Sequence, residues 1–153
     1  MSKNVKMSVT NKDEMVVMLS ELAKIKATEK IIYKAIAKTY SDYATYLFKS
    51  KDYYQATENF ELAIKYHPDS YCFNKLGNIY TITEEHDKAL ESYNEAAKLS
   101  PTEAIFWGNS GVACLNKKDY INSIGHYEKA LIINQKPLYC VNLAQAWFNI
   151  AQD

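Results

Sequence analysis

Apolar and small residues return along this chain at helical spacing, and the spacing then returns as a block. In the cleanest block Phe73, Leu76, Gly77 and Tyr80 share one face of a helix, Ala89, Tyr93 and Ala96 share a face of the next, and Pro101 closes the unit. The small residue of the first helix recurs as Ala44, Gly77, Gly111 and Ala144, at separations of 33, 34 and 33 residues. Ahead of it stand Tyr40, Phe73, Trp107 and Cys140, and after it Leu47, Tyr80, Cys114 and Trp147. The second helices align as Ala56, Ala89 and Ser123, then Phe60, Tyr93 and Tyr127, then Ala63, Ala96 and Ala130. The pattern predicts helices over about 37–50, 53–67, 71–83, 87–99, 104–117, 121–134 and 138–151. Turns as short as Lys51-Asp52 and Lys117-Lys118-Asp119 join them, leaving room for neither a linker nor a second domain.

Each column has a physical reason. A side chain at Gly77 or Gly111 would hold the two helices of a pair apart, and aromatics on either side fill the remaining volume. Pro68 and Pro101 end second helices because proline lacks the amide donor of a helix interior. The third block departs from the pattern, with Gln135 at the proline position and Pro137 two residues on.

The spacing Phe73-x2-Leu76-Gly77-x2-Tyr80, Ala89-x3-Tyr93 and Pro101 resembles the tetratricopeptide repeat, a helix-turn-helix unit of about 34 residues. The resemblance implies an all-α solenoid of about three helix pairs, at 37–69, 70–103 and 104–136, with a partial copy at 137–153. N-terminal helices precede the pairs and one extra C-terminal helix follows them. Residues 12–153 form a single domain in this reading, after a flexible stretch at 1–11.

In the family the first helices line a concave groove that commonly binds peptides. Carried over, the groove is lined by Lys38, Thr45, Phe48, Tyr71, Asn74, Lys75, Asn78, Asn109, Asn142 and Gln145. An asparagine amide is both donor and acceptor, so it can match the peptide groups of an extended ligand whatever its sequence. Chaperone cochaperones of this fold clamp a C-terminal carboxylate with a lysine and an asparagine, a second asparagine, and a lysine and an arginine on three successive first helices. Here Asn78 and Asn109 match the asparagines, but Asn74 replaces the first lysine and Leu138 and Asn142 occupy the third helix. The cationic matches are missing, which argues against a clamp for heat-shock chaperone tails.

Two terminal regions stand outside the repeat. Asn11 and Glu14 have capping-box spacing ahead of Met15, Met18, Leu19, Leu22 and Ile25, which predicts a helix near 12–26. Thr28 is then the expected cap of a second helix that runs on into the first repeat helix. The expected role of this region is to cover the exposed end of the solenoid, with an oligomerisation arm as the alternative. At the other end Asn142, Gln145, Asn149 and Gln152 form one polar stripe, while Trp147, Phe148 and Ile150 belong to an otherwise apolar circumference. A helix of that kind is normally covered on more than one side. The expectation is that a longer chain, another subunit or a partner helix completes it.

Composition narrows the chemistry. Formal net charge is zero, so general attraction to nucleic acid or anionic membrane is not expected. All eighteen basic residues are lysine, and without arginine there is no planar fork for bidentate recognition of phosphate or guanine. Cys72, Cys114 and Cys140 are odd in number and lack metal-ligand spacing, which suits a reducing, cytoplasmic setting. His67, His86 and His126 form no constellation. No segment approaches the roughly 20 apolar residues of a membrane span.

No catalytic, cofactor or metal motif is present, so an enzyme is not expected. The leading function is a protein-interaction module (scaffold, adaptor or cochaperone) that binds a peptide or helix of a partner in the groove or at the apolar C-terminal end, with a homodimer through the terminal helices as a further possibility. One alternative is a secretion-type chaperone resembling the class II chaperones of type III secretion. Another is the interaction domain of a longer enzyme such as a glycosyltransferase.

Overall fold

The computed structural model describes residues 9–152, with side chains from residue 14 onward. Among the described residues there are seven helices: α1 (Val9–Lys49), α2 (Tyr53–Tyr66), α3 (Ser70–Ile82), α4 (His86–Leu99), α5 (Ala104–Asn116), α6 (Tyr120–Ile133) and α7 (Pro137–Ile150). Each of the last six begins and ends within one residue of its expected bounds. Consecutive helices pack on one another from α1 through to α7. Side-chain contacts join Ser41 and Thr45 to α3, Asn74 to Asn109, and Gly108 to Tyr139, so α1, α3, α5 and α7 lie side by side as one layer. The all-α solenoid of helix pairs is therefore the architecture.

The turns inside the pairs repeat as faithfully as the helices. Lys51, Glu84 and Lys118 hold φ of 63°, 62° and 61°, the left-handed conformation that reverses the chain after a helix. The following amides close onto the carbonyls five residues back, Asp52 to Leu47 at 3.0 Å, Glu85 to Tyr80 at 2.8 Å and Asp119 to Cys114 at 2.9 Å. Asp52 and Asp119 then cap the next helix by accepting from the amides of Gln55 and Asn122. Between pairs, α2 and α4 stop at His67 and Ser100, each directly before its proline.

The core explains the small-residue column. A Cβ added at Gly77 would stand 2.5 Å from the Tyr93 ring, one at Gly111 would stand 2.7 Å from Tyr127, and one at Gly108 would stand 2.5 Å from Tyr139. The second-helix aromatics Phe60, Tyr93 and Tyr127 are buried in the spaces this creates.

The N-terminal region differs from expectation in three ways. Helix α1 runs without a break through Thr28, whose hydroxyl bonds back to the Lys24 carbonyl at 2.9 Å instead of capping a new helix. No glycine or proline interrupts the stretch, so nothing ends the helix. The helix already includes residues 9–11 of the segment expected to be flexible; residues 1–8 lie outside the described residues. Nor does this arm cover the end of the solenoid. Residues 14–35 are all exposed, among them Met15, Leu19, Leu22 and Ile25.

Candidate functional site

The groove residues fall into groups according to where their hydrogen bonds go. At the α1–α3 end, Thr45 donates to the Ser41 carbonyl one turn back at 2.8 Å, leaving its oxygen to accept from the Tyr71 hydroxyl at 3.2 Å. Lys75 on the next turn of α3 carries its ammonium 5.4 Å from the centre of the Phe48 ring and 5.3 Å from that of Tyr71. The two negative ring faces hold the cation where it would otherwise sample many rotamers. Thr45, Phe48, Tyr71 and Lys75 thus form one cluster.

Beside the cluster lies an open hollow of ≈ 510 Å³ walled by Lys34, Lys38, Ser41, Asp42, Asp69 and Tyr71, among others. Lys38 and Asp42 are paired across its rim at 2.9 Å. Cys72 at its floor donates its thiol to Ser41 at 3.4 Å, and burial pushes that thiol's pKa up. Lys34 is not among the expected groove residues, although it stands one helical turn before Lys38 and the α1 periodicity could have found it. His67 and Asp69 also line the hollow, but they belong to the connection after α2, and no periodicity marks them.

The asparagines are engaged with their own chain. Asn109 donates its amide to the Asn74 oxygen at 2.8 Å, joining α5 to α3. Asn78 accepts from the Tyr93 hydroxyl at 2.9 Å, and Thr81 stands 3.0 Å from the same phenol oxygen. Asn142 lies half-buried beside Tyr127, and Gln145 donates to Asn149 at 2.9 Å.

The protein's likenesses agree with this geometry. Residues 71–103 match the family model of the tetratricopeptide repeat. Over 77 residues, half of this chain, it is 31% identical to tetratricopeptide repeat protein 21B of Xenopus laevis, and it spans only 6% of that relative's length. The chain carries a tetratricopeptide repeat at residues 71–103, within a solenoid of helix pairs of that kind. Among solved structures, the array is similar to the first tetratricopeptide domain of Spaghetti (RPAP3) bound to the HSP90 peptide SRMEEVD, with a TM-score of 0.72 at 16% identity over 77% of this chain and 95% of that one. It is also similar to the Sgt2 tetratricopeptide domain of Aspergillus fumigatus, with a TM-score of 0.69 at 18% identity over 76% and 80% of the two chains.

Elsewhere in the tetratricopeptide array the aromatics serve packing. Trp107 donates its indole N–H to the Pro101 carbonyl at 2.9 Å, with Lys129 4.5 Å over its ring and His126 stacked at 5.9 Å. Burial, followed by the charge of Lys129, lowers the pKa of His126. Burial also raises Tyr80 to about 12, with the nearby Glu61 carboxylate adding to the shift. At the far end Trp147, Phe148 and Ile150 are exposed, the first two by more than half. Among the described residues no three His, Cys, Asp or Glu side chains are placed to hold a metal ion, and no helix is long and apolar enough to cross a membrane.

Proposed function

We propose that this protein is a scaffold or adaptor that holds an extended segment of a partner along the layer of first helices, anchored at the α1–α3 end. The observation that carries this reading is the Lys75 ammonium set between Phe48 and Tyr71 at the edge of the ≈ 510 Å³ hollow. A cation already oriented by two rings costs little further ordering when it meets a carboxylate, and the rings offer apolar contact beside it. The hollow beside it carries Lys34 and Lys38 together with Asp42 and Asp69, so its wall is of mixed charge and Lys75 is the cation that favours a carboxylate.

A clamp for chaperone tails is not the form we favour. The two matching asparagines spend hydrogen bonds on Tyr93 and Asn74, and the cationic positions of that clamp hold Asn74, Leu138 and Asn142. The exposed arm of α1 supports a second contact, self-association through Met15, Leu19, Leu22 and Ile25.

A pull-down from native lysate tests the groove, using the chain and a Tyr71→Ala/Lys75→Ala variant shown to retain its helical content. A partner held by the first and lost by the second is expected. The same proteins on both would remove the anchor from consideration.

A further inference from the structure

Helix α1 carries two apolar stripes, and the chain uses one of them internally. Tyr40, Ala44 and Leu47 pack with Ala56, Phe60 and Ala63 of α2, while Ser41 and Thr45 on another side reach α3. The second stripe starts at Met15 and Met18 and repeats steps of four and three residues without interruption to Tyr43 and Tyr46, ten positions in all. Every one of them is exposed except Ile36, which is half-buried, and Glu29 is the only charged residue among them. Tyr43 and Tyr46 stack on each other at 6.3 Å and stand 50% and 63% exposed, and Met18 is 64% exposed. A strict repeat of 3.5 residues is the mark of a helix that supercoils with a second helix, because a straight helix turns once every 3.6 residues and would carry the stripe off its own line.

We propose that a second copy of this chain lies antiparallel along the stripe, the two α1 helices forming a coiled coil whose two-fold axis passes between Lys30 and Ile31. This rests on the self-association reading above and gives it a geometry. In that register Met15 of one chain faces Tyr46 of the other, Met18 faces Tyr43, Leu22 faces Thr39, Ile25 faces Ile36 and Glu29 faces Ile32, with Leu19 on the flank. The chain is its own complement here, because all ten positions find one another and the methionines of the arm meet the exposed tyrosines, a contact that thioether sulfur favours. At each end Glu14 falls beside Lys49 of the other chain. The register also brings Glu21 near Asp42, whose charge Lys38 already offsets at 2.9 Å. A parallel pair would set Glu29 against its own copy in the seam, whereas the antiparallel pair separates the two and places Tyr33, whose hydroxyl donates to Glu29 at 2.7 Å, alongside. A slip by one heptad toward the arm tips would leave Tyr43 and Tyr46 open. The seam is about 47 Å long and about 10 Å broad, so it hides roughly 1,000 Å² in the two chains, the size at which a specific dimer contact begins.

Sedimentation equilibrium of the whole chain reads the association, and a dimer is expected. Tyr43→Glu should raise its dissociation constant by about tenfold or more with helical content unchanged, because Tyr43 is half exposed. Leu22→Glu, at the far side of the same seam, should do likewise, and Tyr71→Ala/Lys75→Ala in the groove should leave the dimer intact. Direction and register are read by electron–electron distance measurement on a Ser20→Cys variant, spin-labelled in a Cys140→Ser background, since Cys72 and Cys114 are buried. The two labels are expected to stand about 32 Å apart along the axis. A parallel pair would bring them side by side, and a slip of one heptad would move them about 10 Å nearer or farther. A chain that stays monomeric at about a hundred micromolar would overturn this geometry and the self-association reading together, and leave the seam to a foreign helix. A dimer that withstands both Tyr43→Glu and Leu22→Glu, or a label distance that fits a parallel or slipped pair, would overturn the geometry alone.

Discussion

The repeats at 70–103 and 104–136 pack the same ring on the same glycine, yet they treat the ring's hydroxyl in opposite ways. Tyr93 over Gly77 gives its proton to Asn78 and lies beside Thr81. Tyr127 over Gly111 is fully buried, and its hydroxyl has no well-formed hydrogen bond among the described residues. Ser123 and Asn142 stand near it, and Ser123, which gives its own proton to the Gly111 carbonyl at 2.9 Å, has only its oxygen left to offer the phenol. The register explains the difference, because the residues matching Asn78 and Thr81 are Val112 and Leu115. Burial drives the Tyr127 pKa to about 12, which keeps the phenol protonated. The first repeat supplies a third case. Phe60 has no hydroxyl, so Thr45, in the column of Asn78, makes its bond to Tyr71 on the groove face. The core ring and the groove residue facing it together decide whether that residue bonds inward, as Asn78 does, or along the groove face, as Thr45 does.

The largest effect is expected from the feature the two repeats share. Gly77→Leu and Gly111→Leu should each lower stability by about 1–3 kcal/mol through overpacking against the ring. A melting temperature equal to that of the parent chain would mean the ring can swing aside.

The hydroxyls should then separate the two repeats. Tyr93→Phe is expected to cost about 0.5–1.5 kcal/mol, whereas Tyr127→Phe should be neutral or stabilising, because an orphaned buried hydroxyl is itself a cost. Urea unfolding reads both, and Val112→Asn extends the test. In that background Tyr127→Phe should become destabilising, and a coupling near zero in the double-mutant cycle would refute the register argument.

Smaller effects follow from residues that only one repeat has. At Gly125 an added Cβ would meet nothing within 4 Å, so Gly125→Ala should raise stability by about 0.5–1 kcal/mol in the same assay. His126 has its pKa lowered in the fold by burial, then by Lys129, so the unfolded chain takes up the proton first as pH falls. Stability should therefore decline as pH drops through about 6.5, the unfolded value, until the folded group also titrates. His126→Gln should flatten that part of the profile in thermal melts at graded pH.

The helices were legible because their causes are local. The turns Lys51-Asp52 and Lys118-Asp119, the prolines at 68 and 101 and the four-and-three spacing all act within one or two turns of chain. The error in the N-terminal arm has a local cause too. Thr28 is chemically able to cap a helix or to bond backward within one, and a sequence with no breaker favours the second. The groove was legible only as a set of outward positions. Which of those side chains remain available was not, because the partners that claim them come from other helices: Asn74 for Asn109, Tyr93 for Asn78, and Tyr71 for Thr45.

The periodic architecture is written in the order of residues alone: helix bounds, the register of 33 and 34 residues, and the glycines that admit a ring. Those features depend on backbone propensity and on spacing, which each repeat carries within itself. The packed helices settle the rest. They set Lys75 between Phe48 and Tyr71, leave the Tyr127 hydroxyl without a good bond, and turn Ala144 and Trp147 outward in a column whose other members are covered. The physical reason is that a hydrogen bond, a cation over a ring or a covered stripe needs a second element brought to within a few ångström, and the stacking of helices distant in sequence supplies that element.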